Sequence, residues 1–155
     1  MYEKALALGM IKRMVSGLTG ALIVAFATGA RAAEYYVDAS VASSGSGTNW
    51  AEAFKTIQEG VDAATDGDRV VVTNGSYDTG GRAWPIDTHT NRVCITNAIT
   101  VRSVNGPDVT VIQGAADEAG CGEAAVRGVF MTNACTLIGF TVTNGEAQYG
   151  GGIYS

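Results

Sequence analysis

From Arg69 onward, the apolar positions of this chain come in short β-branched runs. They are Arg69–Thr73, Val93–Thr96, Ile99–Arg102, Val109–Ile112, Val129–Thr132 and Leu137–Thr143, each four to seven residues long. Helices need about ten residues of 3.6-residue periodicity, so runs of this length and composition predict strands. Within them, Ile99 and Val101, or Phe140 and Val142, are predicted to point inward and Thr141 and Thr143 outward, because side chains alternate along a strand. Several runs end alike, with Val-Thr-Asn-Gly at 72–75 and again at 142–145, Ser-Val-Asn-Gly at 103–106 and Val-Ile-Gln-Gly at 111–114. Asn and Gly enter left-handed backbone geometry at low steric cost, which predicts tight corners there. A further short strand, Glu34–Asp38, precedes a Ser/Gly-rich loop over 39–48.

Between that loop and the first run the period changes. Trp50, Ala53, Phe54, Ile57, Val61 and Ala64 recur at steps of three and four, predicting one amphipathic helix over 50–64 with Trp50 in the core. Asn49 and Glu52 have the spacing of a capping box, and Gly67 lies just past the end. A longer echo is also present: Val93-Cys-Ile-Thr-Asn-Ala98 matches Val129-Phe-Met-Thr-Asn-Ala134 at an offset of 36. Recurrence on this scale marks a solenoid, and short strands with Asn and Gly at their ends select a parallel β-helix. The helix, placed directly before Val70, is suited to cover the open end of the first coil. The expected fold class is therefore all-β, a parallel β-helix with an N-terminal amphipathic capping helix.

Composition supports this reading and narrows the partners. Of 155 residues, 46% are apolar and only 16% charged, with 21 Gly and a formal net charge of -5. That balance suits a turn-rich β protein, excludes general disorder, and argues against nucleic acid, whose phosphates call for a basic stripe. The N-terminus departs from the rest. Lys12 and Arg13 precede an uncharged apolar run from Val15 to Ala30 that ends in Ala30-Arg31-Ala32. A basic flank, a short apolar stretch and small residues at a cleavage position predict a secretory signal peptide over 1–32. The alternative, an uncleaved anchor, needs about 20 apolar residues to span a membrane, more than Leu18–Ala27 supplies. Cleavage after Ala32 leaves 123 residues with 6 basic and 14 acidic side chains, a formal -8. The predicted organisation is a signal peptide (1–32), a strand, loop and capping helix (33–67) and the first coils (68–155).

The segments YYVDAS, NWAEAFKTIQEGVDAATDGDRVVVTNGSYDTGGR, NRVCITNAITVRSVNGPDVTVIQG, TLIGFTVTNG and GGGIYS resemble the exported right-handed parallel β-helix repeat proteins of bacteria, in the pectate-lyase-like superfamily. The specific parts are Gly67-Asp68-Arg69-Val70 after the helix, the Gly139–Gly145 strand and the Gly150–Ile153 run. The resemblance covers residues 34–155 and implies a right-handed coil, many coils in all and often a C-terminal anchor. Two to three coils are counted here, so the expectation is the N-terminal part of a longer protein.

Enzymes on the fold that the resemblance implies use either an Arg or Lys base with acidic Ca²⁺ ligands, or two or three carboxylates about 5–9.5 Å apart. Outward strand positions here are mostly Thr, Ser and Asn. Arg102 is the one base inside a coil strand, and Ile138 rather than an acid stands at its 36-residue offset. No catalytic set is assigned. Asp117, Glu118 and Glu123, in the loop 114–128, are candidate Ca²⁺ ligands or simply solvated acids. The insert 78–92 offers Trp84, His89 and Arg92 as a carbohydrate-stacking platform, with Trp84 as a loop anchor the competing reading. Asp66 and Asp68 suit local hydrogen bonds at the helix-to-strand turn. Cys94, Cys121 and Cys135 permit at most one bridge in three pairings, and Cys94 and Cys135 read as small core residues; with His89 they lack the spacing of a zinc site. Two functions are expected to compete. One is a secreted or cell-surface, non-catalytic adhesin or scaffold that binds polysaccharide or cell-surface glycan. The other is a polysaccharide lyase or glycoside hydrolase whose catalytic coils lie beyond Ser155. Neither calls for a cofactor other than Ca²⁺, and neither leaves a membrane span after signal cleavage.

Overall fold

The computed structural model describes residues 31–155 apart from Pro85, Ile86, Ala119, Cys121 and Asn133; the predicted signal peptide lies, except for Arg31 and Ala32, outside the described residues. The strands are β1 (Glu34–Val37), β2 (Arg69–Val72), β3 (Gly75–Tyr77), β4 (Arg82–Trp84), β5 (Asp87–Ile95), β6 (Thr100–Ser103), β7 (Thr110–Gln113), β8 (Val126–Met131), β9 (Thr136–Ile138), β10 (Thr141–Thr143) and β11 (Ile153–Tyr154). They form three sheets, ordered β1-β2-β6-β9, β3-β7-β10 and β4-β5-β8-β11. From β2 onward the chain visits the first, second and third sheets in turn and makes that circuit three times among the described residues. Among the described residues every strand pairing is parallel except β4 with β5, and Ala115 and Val126 form an isolated antiparallel bridge. The protein is all-β, built of parallel sheets with one α-helix among the described residues.

The 36-residue echo is the pairing register itself. Val93 lies beside Val129, Cys94 beside Phe130 and Ile95 beside Met131, and Thr100 lies beside Thr136. The period is not constant, however. Arg69 pairs with Thr100 at a step of 31, and Val111 with Thr141 at a step of 30. Strand register is kept and the surplus goes into corners. The predicted alternation is borne out: Ile99 and Val101 are buried, Phe140 and Val142 half-buried, Thr141 and Thr143 exposed. Left-handed geometry falls on Asn144 (φ 51°) in one Asn-Gly corner and on Gly106 (φ 90°) in another. Gly114 has a different reason to be glycine, since a Cβ there would run into the backbone of Gly145 and Val126.

The predicted 50–64 helix is corrected. Trp50–Glu52 forms a single 3₁₀ turn, Phe54 bridges to Val37, and only Ile57–Ala63 is α-helix, here α1. Phe54 donates its N–H to Tyr36 O (2.9 Å) and accepts at its O from Asp38 N (2.8 Å), bonds that a continuous helix would have used internally. The capping box accordingly sits at Thr56 and Glu59, while Asn49 caps only the 3₁₀ turn. Trp50 is 43% exposed and packs edge-on against Tyr36 rather than joining the core. The insert over 78–92 carries β4 and the start of β5 as an antiparallel pair.

α1 still lies against one end of the core. Ile57, Val61 and Ala64 join Val37, Val70 and Val72 in one apolar cluster, and a Cβ on Gly60 would come within 3 Å of both Val37 and Val70. Gln58 on α1 takes Cys94 N–H at its Oε1 (2.7 Å) and donates from Nε2 to Cys94 O (3.3 Å). A side-chain amide thus does for one residue of β5 what a neighbouring strand would do, satisfying both backbone groups. Further in, Val70, Val72, Val93, Ile95, Val101, Ile112 and Val129 are fully buried. Each such side chain contributes about 1.5–3 kcal/mol of hydrophobic stabilisation, before the entropy of ordering it.

Candidate functional site

The corners differ by position. Those from the first sheet to the second (73–74, 104–109, 139–140) and from the third back to the first (96–99, 132–135) are short. The segments that lead from the second sheet to the next parallel strand of the third, 78–86 (which contains β4), 114–125 and 144–152, are longer in every circuit. Register between passes does not fix the length of a corner, so these stacked segments are free to carry side chains for other purposes. All six candidate site residues lie in this column of corners or on the neighbouring strand β5.

The third sheet's outer face carries a row of aromatic rings. Trp84 stacks on Phe130 with centroids 5.4 Å apart and planes 23° apart, and Phe130 stacks on Tyr154 at 5.9 Å and 22°. Phe130 is buried, Trp84 half-buried and Tyr154 43% exposed. Arg127 lies with its guanidinium carbon 5.1 Å from the Tyr154 ring centre and is fully buried. It donates to Asn91 Oδ1 (2.6 Å), Tyr149 O (3.0 Å) and Gly150 O (3.1 Å), tying three successive passes together. Register explains the convergence, because Asn91 sits beside Arg127 and Tyr154 beside Phe130. Stacked rings present flat apolar faces, and the outermost ring leaves part of its surface in water.

The other candidates are placed as follows. Arg92 is buried and its guanidinium is bonded to backbone carbonyls: its Nε donates to Gln113 O (2.7 Å) and its Nη1 to Gly80 O. Burial pulls its guanidinium below the ordinary value, with Asp78 acting in the opposite sense. His89 is half-buried on β5, and its carbonyl accepts from Asn91 Nδ2 (3.4 Å). Asp117 accepts Ala124 N–H (2.9 Å) and donates its own N–H to Glu146 Oε2 (2.7 Å), whereas Glu118 and Glu123 are exposed. Among the described residues, no three His, Cys, Asp or Glu side chains gather as a metal site requires. Arg102 is exposed beside Ile138. Cys94 and Cys135 carry free thiols, and burial pushes the Cys94 thiol up and away from reactivity; Cys121 lies outside the described residues.

No protein-family model, curated protein or solved structure matches this chain. Among the described residues, no helix is long and apolar enough to cross a membrane. Sequence reading singled out Trp84 but missed Phe130, Tyr154, Arg127 and Asn91. The 36-residue echo was the available signal, since it sets Phe130 against Cys94 and Arg127 against Asn91.

Proposed function

We propose that this chain is an exported protein whose sheets wind as a right-handed parallel β-helix, serving as a non-catalytic extracellular or cell-surface scaffold that binds glycan. The cyclic visit to three parallel sheets supports the winding, and parallel crossovers are right-handed in nearly all proteins. The observation that carries the glycan reading is the row Trp84, Phe130 and Tyr154 with Arg127 behind it. Its rings are fixed by stacking, and the partly exposed Tyr154 offers a surface to a planar, partly apolar ligand face such as a sugar ring. A formal charge of -8 after signal cleavage repels polyanions and favours a neutral polysaccharide.

Co-sedimentation of the full chain with insoluble neutral polysaccharides tests this. Binding is expected, and Tyr154→Ala is expected to weaken it about tenfold, the worth of one aromatic contact of about 1–1.5 kcal/mol. Binding that Tyr154→Ala leaves unchanged would remove the aromatic row from the proposal. Incubation with polygalacturonate, read as unsaturated product in the ultraviolet, separates scaffold from lyase; product formation would overturn the scaffold reading.

A further inference from the structure

Asp68 sits at the turn between α1 and β2, buried, and accepts three hydrogen bonds: from Thr65 N (2.8 Å), Thr65 Oγ1 (2.8 Å) and Ala33 N (2.7 Å). All three donors are neutral in the uncut chain. The nearest cation in sequence, Arg69, is spent on Glu34 at 2.7 Å, and among the described residues no Lys or Arg pairs with Asp68. Those hydrogen bonds from Thr65 and Ala33 outweigh the desolvation and hold the carboxyl below its ordinary value, so Asp68 is a carboxylate that lacks a counter-charge. The donor that stands out is Ala33. Its peptide bond to Ala32 is the bond at which the sequence predicts signal cleavage, and Arg31 and Ala32 on the leaving side are exposed. They line an open groove of about 500 Å³ with Glu34, Tyr36, Thr48 and Arg69.

We infer that cleavage between Ala32 and Ala33 converts the Ala33 N–H···Asp68 hydrogen bond into an ammonium–carboxylate ion pair that fastens the new N-terminus. This inference rests on the export reading above. Water adds across the Ala32–Ala33 peptide bond; Ala32 leaves as a carboxylate, and the Ala33 amine takes up a proton. The atom that was an amide nitrogen becomes the cation that Asp68 lacks, without moving. Ala33 is also held from its other side, because its carbonyl accepts Arg69 N–H (2.9 Å). Besides Asp68, the charged groups around this corner are Glu34, Arg69 and, on the loop before it, Asp66, which is already committed to Ala98 N–H (2.8 Å). Processing would then do more than release the chain: it would lock β1 beside β2, the first pairing of the first sheet.

The full chain, exported from a bacterial host, gives two separable readings. Intact mass shows where the signal is cut. A product beginning at Ala33 is expected; a cut at another bond overturns the inference while leaving export intact, and an uncut chain sinks the export reading on which the inference stands. On the correctly cut product, the rate of acylation of the α-amine is followed against pH, by mass spectrometry of the N-terminal peptide. An amine held by Asp68 is expected to react about tenfold more slowly at pH 7 than in Asp68→Asn, with its pH midpoint displaced upward, since one unit is tenfold in free amine. Should Asp68→Asn fail to fold, the same midpoint is compared between native and urea-unfolded wild type. Correct cleavage with an unshifted midpoint overturns the ion pair while leaving export intact.

Discussion

The first two circuits of the chain and the third use the same residue types to different effect. Val70, Val72, Val93, Ile95, Val101 and Ile112 lose essentially all contact with water, whereas Leu137, Phe140 and Val142 are half-buried and Ile153, beside the fully buried Val129, is about half exposed. Sequence alone does not separate these sets. What separates them is that the first two circuits have a neighbour on both sides, namely α1 and Phe54 at one end and the next circuit at the other. Burial in stacked sheets is conferred by adjacent layers, as expected where stability is a sum of nearest-neighbour interfaces.

The contrast can be broken most forcefully by deleting a side chain from each set. Ile112→Ala is expected to cost about 2–5 kcal/mol and Leu137→Ala less than about 2 kcal/mol, read from urea unfolding midpoints. Equal losses would show that the third circuit is as well packed as the others. A smaller effect is expected from Gln58→Ala, which strips the partner from Cys94 N–H and C=O at the α1 end and should cost about 1–3 kcal/mol. By comparison Ser76→Ala, which removes an exposed 3.3 Å contact to Gln113, should change little. Smaller again, and opposite in sign, is Thr110→Val. Thr110 is fully buried and its hydroxyl has no hydrogen-bond partner, so removing the hydroxyl should stabilise by about 1 kcal/mol in thermal melts.

The last prediction has no counterpart at neutral pH. Tyr77 is buried under the first circuit and donates to Thr73 O (3.0 Å), and burial pushes its phenol up to about 12. A phenol whose folded value exceeds its unfolded value of about 10 stabilises the fold fully below pH 10 and loses that contribution as pH rises toward 12. Tyr77→Phe should therefore flatten the alkaline fall in stability. A fall that persists unchanged in the variant would assign it to other groups.

Much of this architecture was legible in the residues, and the failures have identifiable physical causes. The 36-residue echo named the true register of β5 with β8 because the same Val-x-x-Thr-Asn pattern must meet the same layer twice. The helix was over-extended because Phe54 keeps helical spacing while its backbone answers to Tyr36 and Asp38, a long-range demand that periodicity cannot express. β3 was missed because Gly75-Ser76-Tyr77 carries no strand signature; it is a strand because Gly75 and Tyr77 fall beside Thr110 and Ile112. At the candidate site, Trp84 was visible as an aromatic in a polar insert. Phe130 looked like any core residue until the register set it on the outer face. Arg92 looked available for ligand because its type is charged, yet its guanidinium is consumed by the carbonyls of Gln113 and Gly80.

The constancy of register alongside variable corner length has a consequence for how such a molecule can be rewritten. Adding residues between the second and third sheets lengthens a closed excursion without displacing any strand. Doubling such a loop costs only about 0.6 kcal/mol in closure entropy. The positions around 79, 118 and 147 are thus natural grafting points, where foreign peptide epitopes could be displayed in a vertical row at spacings set by the sheet.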